Sequence, residues 1–183
     1  AVAQKMLAGS SARNPVIYLS SLSKTVAPAL RVGWMLADAT VLRRCSIAKQ
    51  TSDLCTSALA QAIASAYLAG GRYAATVERA RREYQRRMQA LTEGLLQLPG
   101  DPIRCTVPAG GMFVWAQLDP ALDAQRLFDA AVDNGVVYVP GRAFYPDQPD
   151  VHTLRMSFAA PEVPDIQAAV QRLARACESA MQS

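Results

Sequence analysis

One apolar seam and its abrupt end constrain this chain more than any other feature. Val77, Tyr84, Met88, Leu91, Leu95 and Leu98 recur at steps of seven, four, three, four and three residues. That spacing is one face of an α-helix, with Arg79, Arg81, Arg82, Arg86 and Arg87 outside it. Pro99-Gly100-Asp101-Pro102 stops the helix sharply. A helix of this length predicts a link between two subdomains, and the chain reads differently on either side of it. The expected division is residues 1–72 as a first unit, 73–99 as the linking helix and 100–183 as a small α+β unit.

Ahead of the seam, Val16-Ile17-Tyr18-Leu19 follows the turn signal Asn14-Pro15 and reads as a buried strand ending in a Ser-rich loop. Arg31 to Leu36 reads as a second buried strand, in which Gly33 lets another backbone or a ligand come close. Helical patterns run from about Thr40 to Lys49 and from Thr56 to Ala69, the latter with Leu59, Ile63 and Tyr67 on one face and Gly70-Gly71 as its stop. Ala1 to Pro15 is only weakly periodic, and the chain opens without methionine, so the expectation is the later part of something longer. Beyond the seam, Ile103 to Val107 and Met112 to Leu118 predict strands around Pro108-Ala109-Gly110-Gly111, a turn calling for positive φ. A helix over Asp123 to Asn134, strands over Val136 to Val139 and Leu154 to Phe158, and a last helix facing inward through Ile166, Val170, Leu173, Cys177 and Met181 complete the chain. Strands interleaved with helices predict an α/β or α+β layer architecture and argue against a bundle or a sandwich.

Composition narrows the function. The 183 residues are 51% hydrophobic, enough for a packed core, and the net charge of +4 is mild. The arginine cluster of the seam helix is interleaved with Glu78 and Glu83 and has no aromatic stacking platform, which reads as a solvated face and not as a nucleic-acid surface. Cys45, Cys55, Cys105 and Cys177 form no CxxC pair and His152 is the sole histidine, so no metal site is expected. No secretory signal and no apolar run of about 18 residues appears. The default is a cytoplasmic protein with reduced thiols and no membrane partner.

Two cations stand out chemically. Lys24 lies in Ser20-Ser21-Leu22-Ser23-Lys24-Thr25 at the end of a predicted strand, seven residues ahead of Arg31. A solvated loop lysine is one reading. The other is an amine that forms an imine with an aldehyde cofactor, its phosphate held by Ser21, Ser23 and the bidentate fork of Arg31, which is a way to bind pyridoxal 5'-phosphate (PLP). Ser21 and Ser23 would lie on the same side of an extended chain. Arg155 interrupts the apolar strand Leu154-Arg155-Met156-Ser157-Phe158, where a charge needs an anion. That anion is either a carboxylate of the protein itself or the carboxylate of a substrate. Gly110-Gly111 is either a plain hairpin turn or a backbone wall beside a ligand, and Val139-Pro140-Gly141 with Phe144 and Tyr145 either closes a pocket or is a simple loop.

Taken together, Ser21-Leu22-Ser23-Lys24, Pro28 to Trp34, Lys49 to Leu54, Pro108 to Phe113, Tyr138 to Gly141 and Leu154 to Phe158 resemble the class I/II aminotransferases of PLP fold type I, over about Val16 to Ala176. The likeness is greatest to the subgroup containing 2-aminoadipate and kynurenine aminotransferases and the aminotransferase-like domains of MocR/GntR regulators. It implies the carboxyl-terminal part of a PLP-dependent transferase fold: a remnant of the large-domain sheet plus the small α+β domain. It also implies that Lys24 is the Schiff-base lysine, that Ser21, Ser23 and Arg31 bind the cofactor phosphate, and that Arg155 binds the substrate carboxylate. The implied reaction moves an amino group between an α-amino acid and a 2-oxo acid, in a homodimer. The alternative is the PLP-sensing effector domain of a regulator. In this family the aspartate, asparagine and tyrosine that meet the cofactor ring precede the lysine, in sequence ahead of Ala1. The 183 residues alone are therefore expected to bind PLP weakly or not at all and not to transaminate.

Overall fold

A computed structural model describes residues 16–182. The weakly periodic segment before them, with the Asn14-Pro15 turn, lies outside the described residues. The chain divides into two compact units, Ala1–Arg79 and Ala80–Ser183, and the division falls inside one helix, Arg72–Leu96.

In the first unit, β1 (Tyr18–Ser21) and β2 (Gly33–Leu36) form an antiparallel ribbon in which Tyr18 faces Leu36 and Ser21 faces Gly33. Sequence reading expected buried strands, yet Leu19 is 70% and Trp34 43% exposed. Among the described residues the ribbon pairs with no third strand, so its apolar side chains are left uncovered. Nor does β2 begin at Arg31. That residue takes φ 53° and closes a 3-10 turn over Pro28–Leu30, a conformation that cannot continue a strand. Gly33 does serve a close approach, since a Cβ there would stand 3.1 Å from the Ser20 carbonyl oxygen.

Helix α1 (Ala39–Ser52) starts where the Asp38 carboxylate accepts from the Thr40 N–H at 2.9 Å, and Lys49 pairs with Asp53 at 2.6 Å near its end. Helix α2 (Ala58–Ala69) is capped by Ser57, whose hydroxyl accepts from the Ala60 N–H, and it stops at Gly70 as expected. The face predicted for burial points outward: Leu59 and Ile63 are exposed, and Ala64 is the residue buried. Tyr67 is partly covered and its hydroxyl donates to Thr76 Oγ1 at 2.7 Å.

Helix α3 (Arg72–Leu96) carries the seam, and in the second unit its Leu91 and Leu95, with Leu98 just past its end, are buried. They meet a four-stranded antiparallel sheet made of β3 (Ile103–Cys105), β4 (Phe113–Leu118), β5 (Val139–Pro140) and β6 (Thr153–Ser157), in the order β3-β4-β6-β5. Helices α4 (Ala124–Asp133) and α5 (Val163–Gln182) complete the layer. One core joins Val114, Ala116 and Leu118 of β4, Leu154 and Met156 of β6, Leu127 and Ala131 of α4, and Ile166, Val170, Leu173 and Cys177 of α5. Burial alternates residue by residue along β4, so Phe113, Trp115 and Gln117 look away from that core. Asp123 caps α4 by accepting from the Gln125 and Arg126 N–H groups.

Three expectations shift here. β3 ends at Cys105, leaving Val107 60% exposed. The strand expected from Val136 begins only at Val139, because the Val136 N–H closes the end of α4 on the Ala131 carbonyl at 2.8 Å, after Gly135 at φ 72°. Met181 is half exposed. Arg87 ties α3 to the start of α5, donating to the Ala159 carbonyl at 2.7 Å and pairing with Glu162 at 2.6 Å. Among the described residues no helix is long and apolar enough to cross a membrane, and no group of three or more His, Cys, Asp or Glu could hold a metal ion.

Candidate active site

The connection between β1 and β2 is built around one buried side chain, Leu22. Its N–H donates to the Val32 carbonyl at 3.0 Å, and its own carbonyl accepts from Thr25, Val26 and Ala27 at 3.3, 2.8 and 3.1 Å. This knot winds the chain tightly and leaves Lys24 on its outside, exposed, two residues beyond the buried leucine. Ser21 and Ser23 flank Leu22 and are half-buried. Ser21 ends β1 and Ser23 already lies in the turn, so the extended-chain alternation expected for the pair does not apply. Arg31, at the far side of the connection, is exposed, and its guanidinium reaches back to the Pro28 carbonyl at 3.3 Å. Both cations thus emerge at the same end of the ribbon. Residues 22–32 contain no acidic side chain to neutralise them. Sequence reading missed Thr25, whose hydroxyl oxygen is buried and finds no hydrogen-bond partner among the described residues.

Arg155 belongs to the second unit. It sits mid-strand in β6, opposite Trp115 of β4 and Val139 of β5. Sequence reading left open a salt bridge to a carboxylate of the protein. Among the described residues no carboxylate pairs with it, and its Nε is buried without a partner. The guanidinium carbon instead lies 4.2 Å from the centre of the Phe113 ring and 4.5 Å from that of Phe144. Phe113 was not singled out in the sequence, although the period-two pattern of β4 places it on the same sheet face.

A cavity of about 720 Å³ opens beside α3, lined by Arg81, Tyr84, Gln85 and Met88 together with Gly110-Gly111 and Phe158. Lys24, Ser21, Ser23, Arg31 and Arg155 do not line it, whereas Gly110-Gly111, read as a hairpin turn or a wall beside a ligand, do. Gly111 has φ 93°, so the turn does use positive φ. Other ionisable groups serve the core. Burial, reinforced by Glu178, raises the Cys177 thiol to about 11, and burial raises the Tyr138 hydroxyl, which donates to the Ala124 carbonyl at 2.6 Å. His152 Nδ1 donates to the Leu122 carbonyl at 2.8 Å and so acts as a tether.

Residues 1–173 match the family model for aminotransferase class I and II. The chain belongs to that family. The class I and II match starts at residue 1, well ahead of the first recognisable motif. The chain is 37% identical over 166 residues to aromatic-amino-acid aminotransferase 1 of Thermococcus litoralis, covering 91% of this chain and 40% of that protein. Against the crystal structure of the α-aminoadipate aminotransferase LysN from Thermus thermophilus, in complex with N-(5'-phosphopyridoxyl)-L-leucine, the TM-score is 0.85 at 36% identity, over 91% of this chain and 43% of that one. An uncharacterised HTH-type transcriptional regulator of Bacillus subtilis, YdfD, is 28% identical over 86% of this chain and 32% of its own length. The chain therefore spans about 40% of the length of the curated aminotransferases it matches.

Proposed function

We propose that this chain supplies the lysine, part of the phosphate cradle and the carboxylate receptor of a PLP-dependent aminotransferase that moves an amino group between an α-amino acid and a 2-oxo acid. The observation that carries this reading is the Leu22-to-Val32 connection. In a chain of the aminotransferase family, it presents Lys24 and Arg31 from one end of a ribbon beside three hydroxyls and no acid. That donor set fits PLP. A guanidinium and hydroxyls suit a phosphate dianion, a lysine amine suits an aldehyde, and the unpartnered Thr25 hydroxyl is a further donor with no other use.

Ser21, Ser23 and Arg31 would hold the phosphate in this reading, and Lys24 would be the residue to which the cofactor aldehyde bonds. PLP, when bound, supplies the electron sink that makes the α-carbon of an amino acid acidic. Lys24 Nζ, as a free amine, would move the proton at that α-carbon. Arg155 binds the substrate carboxylate through its two-pronged fork. Residues 1–72 then belong to the cofactor domain, 73–99 to the linking helix and 100–183 to the small domain. A homodimer in the cytoplasm, serving amino-acid metabolism, completes the proposal, and four free cysteines support a reducing compartment.

Among these 183 residues lysine occurs at Lys5, Lys24 and Lys49, and Lys49 is paired with Asp53. Borohydride reduction of the full-length protein with PLP, followed by peptide mapping, should therefore place the pyridoxyl group on Lys24. Label on any other lysine with none on Lys24 overturns the assignment. The similarity to YdfD supports a second reading, a PLP-sensing effector domain. A purified full-length protein that binds PLP and a DNA operator but turns over no amino acid would establish that reading instead.

A further inference from the structure

Arg155 is a cation on a strand with no anion of its own, and what holds it is the informative part. A carboxylate partner would fix the side chain, but it would also occupy the N–H donors a ligand needs. The rings of Phe113 and Phe144, at 4.2 and 4.5 Å, attract the guanidinium through their electron-rich faces and use none of its five N–H groups. Phe144 is itself steadied: its ring meets that of Trp115 at 5.5 Å and 76°, an edge-on contact, and Trp115 is the cross-strand neighbour of Arg155. Phe144 arrives on the 3-10 turn Gly141–Phe144, whose first residue is packed against Thr153 two positions before Arg155. The buried Nε has no hydrogen-bond partner among the described residues, so the rings and not a protein acceptor hold the side chain.

We propose that Phe113 and Phe144 are positioning residues that preset the Arg155 fork for an incoming carboxylate before any anion is present. The inference rests on the reading of Arg155 as a carboxylate receptor and adds how that receptor is kept open. It predicts that aromatic faces at positions 113 and 144, and not merely apolar bulk, set the affinity for the carboxylate.

The test uses NMR of the Arg155 Nε–Hε resonance in the 183-residue chain, titrated with 3-phenylpropanoate as a monocarboxylate probe. In the unliganded wild type the Hε signal should stand upfield of ordinary arginine values, shifted by the two rings. Phe113→Leu and Phe144→Leu should each remove much of that displacement and weaken the probe at least fivefold. Phe144→Tyr, which keeps the face, should retain both properties. Arg155→Gln should abolish binding. Both phenylalanines are partly exposed, Phe113 at 37% and Phe144 at 45%, so the leucine variants should melt with the wild type. If either does not, the tyrosine variant still separates ring face from bulk. Leucine variants that bind like wild type while Arg155→Gln does not would overturn the clamp and leave the receptor reading standing, as would Phe144→Tyr failing together with Phe144→Leu. Binding that survives Arg155→Gln would sink the receptor reading itself. A wild type that shows neither the upfield signal nor binding overturns the preset fork.

Discussion

Replacing Gly141 by alanine is the most demanding test of the second unit. A Cβ at this position would lie 2.7 Å from the Thr153 Cβ and 2.8 Å from the Thr153 carbonyl carbon, as well as against its hydroxyl. Carbon atoms pack best near 3.5–4.0 Å, so the methyl group intrudes by about 1 Å into a neighbour that is itself part of a strand. Overpacking of this kind costs about 1–3 kcal/mol. Thr153 is 1% exposed and donates to the Asp150 carbonyl at 2.9 Å, and pushing it aside strands that buried hydroxyl at a further cost of about 1–3 kcal/mol. We expect Gly141→Ala to destabilise by about 3 kcal/mol, a fall in Tm of roughly 6–12 °C for a chain this size. Urea unfolding followed by Trp115 fluorescence in a Trp34→Phe background reports the second unit alone. Gly110→Ala is the control, because nothing lies within 4 Å of a Cβ there, and it should change stability by no more than about 0.5 kcal/mol. Equal effects of the two substitutions would refute the steric argument.

Leu95→Ala, at a residue with 0% exposure, should cost about 2–5 kcal/mol, whereas Leu59→Ala, at 72% exposure, should stay within about 0.5 kcal/mol. The opposite ranking, with Leu95→Ala followed by Trp115 and Leu59→Ala by Trp34 in a Trp115→Phe background, would restore the face first expected for α2. Burial raises the Cys177 thiol from an ordinary 9.0 to about 11, so the unfolded chain loses this proton before the folded one does. The associated stability is intact below pH 9 and lost as pH rises through about 11, on the order of 1–2 kcal/mol, with Tyr138 acting in the same direction. Cys177→Ala should flatten that alkaline slope, and an unchanged slope would show that the thiol does not titrate as described. The 183-residue chain alone should show no stoichiometric PLP absorbance band sensitive to borohydride and no transamination, because the ring-facing side chains of the family precede the lysine. A full band would contradict this.

Elements whose signals are local were legible in the sequence. The α3 seam, the Asp123 start and Asn134 end of α4 and the five inward positions of α5, apart from Met181, follow from periodicity and end chemistry that act within a few residues. Burial of β1, β2 and α2 was misread because apolar composition says that a side chain seeks cover, and only tertiary neighbours say whether it finds any. Arg31 was placed in a strand because nothing in its neighbours announces a left-handed residue. At the candidate site, Lys24, Arg31 and Arg155 were visible as charges in apolar surroundings. Phe113 and Thr25 were not, and Phe144 stood only in an open choice between a pocket wall and a simple loop. Their significance comes from what stands next to them across the fold, and an aromatic or a threonine in isolation carries no sign of that.

Core-facing residues recur at every second position of β4, and in β6 Leu154 and Met156 face the core on either side of the half-buried Arg155. Sliding β6 by one residue would send Arg155 into the hydrophobic layer and bring Leu154 or Met156 to the open surface. A one-residue insertion or deletion between Thr153 and Ser157 would therefore disrupt the sheet and, on the receptor reading of Arg155, the capture of a carboxylate. Length variation among descendants of this protein should collect instead in the exposed stretch 146–149, beyond the Tyr145 ring that packs against Trp115.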